Sequence, residues 1–326
     1  MPGGALIALC QTAQQELLLV APFIKVAVIE RLLIEIPDKV PVRCVTRWYP
    51  HEIAYGVSDL EIWPLLRERT NSSLWLRSDL HAKYYRVDRQ CLIGSANLTA
   101  AALGWRQPAN LELLLPYPVE AQEIRSFEEM LFAQAVAVND SIYQQMREAV
   151  QHLPKPPAQP TSPLELSSQN GVPADDEDAK ARELRENGVV YGQAPDQEWF
   201  PQTRHPEDLY KAYVNQWERP SSATQNAAAY DLRFLTIPPG LSANGFHSYV
   251  GAMLLQQPVV QAIDQLAATP QRFGVVKGLL ATRYRYMQDF DAGHGWQTLM
   301  RWLLFFLPHR YSVSTPRHSE IFRRLS

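Results

Sequence analysis

Along the first half of the chain, short apolar runs alternate with longer stretches in which apolar residues recur every three or four positions. The runs are 16–21 (ELLLVA), 42–47 (VRCVTR), 73–77 (SLWLR), 83–87 (KYYRV), 90–94 (QCLIG) and 111–115 (LELLL). Their length and their β-branched and aromatic content predict strands. Helical spacing fills the gaps over 4–15, 23–36, 57–69 and 119–151, and Asn97–Leu103 reads as a short helix after a turn. Such alternation predicts an α/β layer fold over residues 1–152. The pattern then breaks. Residues 153–190 are rich in Pro, Ser and acidic side chains and poor in large apolar ones, the composition of a flexible linker. Beyond 190, helical spacing dominates at 247–267, 270–287 and 294–306, and Trp199, Tyr210, Tyr213 and Trp217 precede it as nuclei of a second core. The expected C-terminal domain, 191–326, is therefore mainly α. No internal repeat is visible.

Composition agrees with two domains: the chain has 326 residues, against ~150 for a typical domain. A hydrophobic fraction of 46% supplies a core, and a formal net charge of -3 argues against a uniformly basic nucleic-acid coat. Cys10, Cys44 and Cys91 are too few and too scattered for a disulfide framework or a zinc site. Met1–Cys10 lacks a charged leader, and the apolar runs fall short of a membrane span, so a soluble cytoplasmic protein with no membrane partner is expected.

The candidate chemistry lies in His81-Ala82-Lys83, with Asp88 seven residues after the histidine, and in Gly94-Ser95-Ala96-Asn97. As a pattern this is H-x-K-x4-D followed by G-S-x-N, which chance would supply on the order of once in 10^5 chains. Side chains two apart in an extended segment face the same way, so His81 and Lys83 address one site. The run 90–94 pairs with 83–87 as a hairpin through Asp88 and Arg89. It ends in a Gly-Ser turn that offers N–H groups, a hydroxyl and an amide to an anion. Each residue also has an ordinary reading. His81 could be structural and Lys83 a solvated strand lysine, although the chain has only seven lysines against 24 arginines. Ser95 could cap a helix, Asn97-Leu98-Thr99 is formally a glycosylation sequon, and Asp88 at the hairpin end orients the turn as readily as it serves chemistry.

With this order and spacing the first half of the chain resembles the phospholipase D superfamily, and in particular its nucleases with one motif per chain. The resemblance implies a mixed sheet flanked by helices, with His81, Lys83, Ser95 and Asn97 as catalytic residues alongside Asp88. It also implies phosphoryl transfer with neither metal nor cofactor. In the single-motif nucleases a carboxylate on the next strand holds the catalytic histidine, and Glu112 occupies that place here. A carboxylate in an apolar strand is costly unless paired, and the ring N–H of His81 is the economical partner; the alternative is that Glu112 lies on a solvent face. In-line transfer needs a nucleophile on one side of phosphorus and a proton donor on the other. No other histidine begins an H-x-K. The expectation is therefore a homodimer that shares one site, with a phosphohistidine intermediate.

The members resembled are mainly nucleases, some of them restriction enzymes, which points to nucleic acid, DNA before RNA, and to a role in restriction or defence. Residues 272–326 sharpen this, with 9 basic and 3 acidic side chains interleaved with aromatics. Arg283, Arg285, Arg317, Arg323 and Arg324 are candidate substrate contacts there, and Arg47 and Gly94 are candidates beside the active site. The other readings are a lipid phosphodiesterase, and either a nuclease subunit that depends on a helicase or other partner or a nucleic-acid-binding protein that uses the site as a phosphate cradle.

Overall fold

A computed structural model describes residues 1–154, 198–218, 220–315 and 320–325. The chain divides into two compact units, Met1–Gly188 and Val189–Ser326. The linker assigned to 153–190 lies, after Pro154, outside the described residues, as does Arg317.

The first unit is built on one seven-stranded mixed sheet. Its strands are β1 (Leu17–Val20), β2 (Val42–Thr46), β3 (Ser73–Leu76), β4 (Tyr84–Val87), β5 (Gln90–Gly94), β6 (Leu114–Tyr117) and β7 (Val136–Ala137), in the order β6-β5-β4-β1-β2-β3-β7. β1, β2 and β3 run parallel, while β4, β5 and β6 continue the sheet antiparallel and β7 closes the other edge antiparallel to β3. The helices are α1 (Pro2–Cys10), α2 (Val26–Ile34), α3 (Pro50–Ala54), α4 (Ile62–Glu68), α5 (Gln122–Ala133) and α6 (Asp140–Gln151). All four residues of β1 are buried, as a central strand covered on both faces requires. On one face Leu18 and Val20 pack with Val45, Leu80, Tyr84 and Cys91 beneath Ile124 and Leu131 of α5.

Three expectations change. The long helical pattern over 119–151 is two helices: β7 intervenes, and Asn139 caps α6 by accepting from Ile142 N at 3.0 Å. Asn97–Leu103 is a series of turns with a single parallel bridge, Ile24 to Leu98, and not a helix. The strand read at 111–115 starts three residues later, because β5 pairs Gly94 with Leu114, and Leu111 is fully exposed.

The second unit holds α7 (Glu207–Tyr213), α8 (Ser222–Leu235), α9 (Ala243–Leu255), α10 (Pro258–Leu266), α11 (Phe273–Arg283) and α12 (Ala292–Phe306). Pro258 splits the pattern read at 247–267, since it supplies no N–H to continue α9 and starts α10 at its first turn. The sequence reading missed a small antiparallel sheet, β8 (Gln271–Arg272), β10 (Ile321–Arg324) and β9 (Tyr311–Ser314) in that order. Trp199 is 1% exposed and stacks on Phe234 with ring centres 4.8 Å apart, while Tyr210 and Tyr213 pack on Phe246. No helix among the described residues is long and apolar enough to cross a membrane.

Candidate active site

The β4–β5 hairpin assembles the site. Tyr84 pairs with Ile93, and Gly94 N donates to Lys83 O at 3.3 Å, so the residues leading into β4 lie beside those leaving β5. His81 and Lys83 are thereby brought to the same sheet end as Gly94, Ser95 and Asn97. His81 is exposed and Lys83 half-buried, and Lys83 Nζ donates to His81 O at 2.9 Å, which keeps the ammonium next to the histidine. Asn97 is buried at 2% exposure.

Glu112 lies in the segment before β6, where it accepts a hydrogen bond from Ser95 Oγ, a partner the sequence reading did not assign. Ser95 is tied further to this segment: Ser95 N donates to Leu113 O at 2.9 Å and Leu113 N to Ser95 Oγ at 3.1 Å. Tyr85 belongs to the site and was missed. Its hydroxyl donates to Ala96 O at 2.5 Å, between Ser95 and Asn97, and burial, then the nearby Glu112 carboxylate, pushes its phenol well above the ordinary range. The alternation that pairs His81 with Lys83 extends to Tyr85, so the signal was present in the sequence.

Asp88 is elsewhere. It sits at the opposite end of β4 from the histidine, with φ 48° at the hairpin turn. Its carboxylate accepts from the backbone N–H groups of Gln14, Gln15 and Glu16 at 2.8–2.9 Å. Burial would raise its pKa, but these bonds outweigh that and lower it. It anchors the entry to β1, away from the end of the hairpin where His81 and Lys83 lie.

Gly94 is needed for the close approach of the Leu113 backbone. A Cβ there would sit 1.9 Å from Leu113 O and 2.8 Å from Leu113 C, both backbone atoms that cannot step aside. Gly94→Ala is therefore expected to cost about 2 kcal/mol or more of stability. Because Leu113 is bonded both ways to Ser95, it should also lower activity; thermal unfolding and a rate assay read the two effects.

Two of the arginines proposed as substrate contacts in the second unit are committed to the fold. Arg283 Nε pairs with Glu198 at 2.7 Å, and Arg324 Nη1 pairs with Asp264 at 2.7 Å together with Arg310. A partly buried guanidinium needs such a carboxylate, and the pairing spends part of the basic segment's excess charge. Arg323 Nε donates to Ser312 Oγ at 3.1 Å, and Arg285 is exposed. Arg47, expected to flank the substrate, is instead 7% exposed and bonded to Glu52. No group of metal-ligating side chains occurs among the described residues.

No family model matches the chain, and no curated protein matches it. Among solved structures it is similar to NucT from Helicobacter pylori, at 14% identity over 41% of this chain and 89% of that one, with a TM-score of 0.33. A phospholipase D family member, Nuc from Salmonella typhimurium, matches at 17% identity over 42% and 90% of the two chains, with a TM-score of 0.33. TrmBL2, an archaeal chromatin protein, matches at 15% identity over 40% and 46%, with a TM-score of 0.28.

Proposed function

We propose that this chain is a metal-independent phosphodiester hydrolase of the phospholipase D superfamily, a cytoplasmic endonuclease that acts as a homodimer on nucleic acid. The observation that supports this best is the convergence of an exposed imidazole, an ammonium, a hydroxyl and a carboxamide at one end of the β4–β5 hairpin. That set suits a phosphate: cationic and neutral donors surround an anion, and the histidine can attack it.

In the proposed reaction a ring nitrogen of His81 attacks phosphorus, forming a P–N bond as the P–O bond to the leaving strand breaks. His81 of the partner subunit gives its proton to the leaving oxygen. That same imidazole then takes a proton from water, whose oxygen attacks phosphorus and releases His81. Lys83, Ser95 and Asn97 stabilise the charge that develops on the non-bridging oxygens. Glu112 is the positioning carboxylate, with the Ser95 hydroxyl as its partner. Restriction or defence is the role this activity would fit.

The test is cleavage of DNA, RNA and phospholipid vesicles by the purified chain in excess EDTA, with sedimentation to read its oligomeric state. A dimer that cuts DNA in EDTA is expected, and affinity should fall steeply with salt as phosphate contacts are screened. Activity that disappears in EDTA overturns the mechanism, activity confined to vesicles moves the substrate to lipid, and an active monomer overturns the shared site.

A further inference from the structure

Residues 77–83, between β3 and β4, carry the candidate histidine and lysine yet have no helix or strand of their own. Their backbone is nevertheless held by hydrogen bonds at six points, one of them the turn bond from Leu80 N to Arg77 O at 3.2 Å. Arg77 N donates to Thr46 O at 2.8 Å, Tyr49 Oη to Ser78 O at 3.1 Å and Arg47 Nη1 to Leu80 O at 3.3 Å. Lys83 Nζ donates to His81 O at 2.9 Å, and Gly94 N donates to Lys83 O at 3.3 Å. Three of these ties reach from the last residue of β2, Thr46, and from the segment that follows it.

Among them the Arg47 bond is the one made by a charge taken out of water. Arg47 is 7% exposed and Glu52 0%. Arg47 Nη2 donates to Glu52 Oε1 at 2.6 Å and Nε to Oε2 at 3.2 Å, and the guanidinium lies over the Phe23 and Tyr49 rings. The neighbouring His51 is also buried, and burial, then the Arg47 charge, lowers its pKa to about 3, so it adds no second cation. Desolvating an ion pair is expensive, and an apolar pair of equal volume is often as stable or more so. The remaining fork of the guanidinium points at Leu80 O, the carbonyl of the peptide unit that supplies the N–H of His81. The Leu80 side chain is anchored beside Leu18 and Tyr84 in the core, so the peptide is gripped from both ends.

We infer that Arg47, aligned by Glu52, is a positioning residue for His81. This rests on His81 being the nucleophile. A guanidinium meets the carboxylate with two nitrogens and the carbonyl with a third, which an ammonium cannot do at once.

Three variants test it: Arg47→Lys, the paired Arg47→Met/Glu52→Leu, and His81→Ala. Arg47→Lys is expected to lower kcat about 10^2-fold, the cost of a displaced reacting group, with KM within about threefold of the wild type. The paired variant should melt near the wild type and show the same kcat loss. The 15N signals of the His81 ring, which report tautomer and protonation, should change in both. Unchanged kcat and unchanged His81 signals in a folded variant overturn the inference, as does failure of both Arg47 variants to fold, which would make the pair structural. If the wild type is inactive, or His81→Ala is as active as the wild type, the nucleophile reading fails instead, and the His81 signals still report whether Arg47 sets the ring.

Discussion

His81→Ala is expected to lower phosphodiester cleavage by about 10^4-fold or more while leaving the unfolding free energy within about 0.5 kcal/mol of the wild type. The separation follows from where the side chain lies. His81 is exposed in the chain, outside the core formed by Leu18, Val20, Val45, Leu80 and Tyr84, so its removal opens no cavity. Lys83→Met should act in the same direction but by about 10^2- to 10^3-fold, because in the proposed reaction it removes charge stabilisation and not the nucleophile. The proposed shared site makes a further demand. When wild-type and His81→Ala subunits exchange at equal concentration, only about a quarter of the dimers carry both histidines. Activity should therefore fall with the square of the wild-type fraction, and a linear fall would place both chemical roles in one subunit.

Asp264→Ala should be the most destabilising single change in the second unit, by about 2–4 kcal/mol, taken below the full value for a buried pair because Arg324 is partly solvated. The Asp264 carboxylate on α10 accepts from Arg310, Arg324 and the Tyr311 hydroxyl at 2.7–2.8 Å, and so ties both β9 and β10 to the helices. Burial would raise its pKa, and these three donors outweigh that and lower it. Its stabilisation is therefore complete above the ordinary carboxylate range and is lost as pH falls through the depressed folded value. Asp231 has the opposite sign. It is fully buried on α8, accepts from Gln202 N and Thr203 N, and desolvation raises its pKa from 3.8 to about 6. It favours the folded state when protonated, so its contribution is complete below 3.8 and is lost as pH rises through about 6. Stability of this unit should thus rise as pH drops from neutrality towards 5 and fall again in stronger acid. Calorimetry against pH, with hydrogen exchange over 258–324, checks both: Asp231→Asn should flatten the neutral limb and Asp264→Ala should remove protection from β9 and β10.

The parts of the fold legible in the sequence were those in which local pattern and final burial agree. β1 through β5 are apolar runs that the sheet buries, and the hairpin turn falls at Asp88 and Arg89 as expected. Pattern misled where tertiary pairing decided the outcome. Val136–Ala137 belongs to β7 only because β3 offers an edge, and β6 shifts towards Tyr117 because Gly94 admits the Leu113 carbonyl. Charge misled for a related reason. Arg47, Arg283 and Arg324 look like free cations in a sequence, but their carboxylates are 5, 85 and 60 positions away and the fold closes those distances. The site was legible as a set of residue types at a spacing that extends to Tyr85, while the tertiary contacts these side chains make, Tyr85 at Ala96 and Arg47 at Leu80, were not.

Chemical quench with 32P-labelled DNA in excess EDTA bears most directly on His81 as the nucleophile. If the P–N bond forms, protein-bound label that is stable to alkali and labile to acid will appear, map to the peptide that contains His81, and be absent from His81→Asn. Label retained by His81→Asn, or DNA cleavage undiminished in that variant, would contradict it.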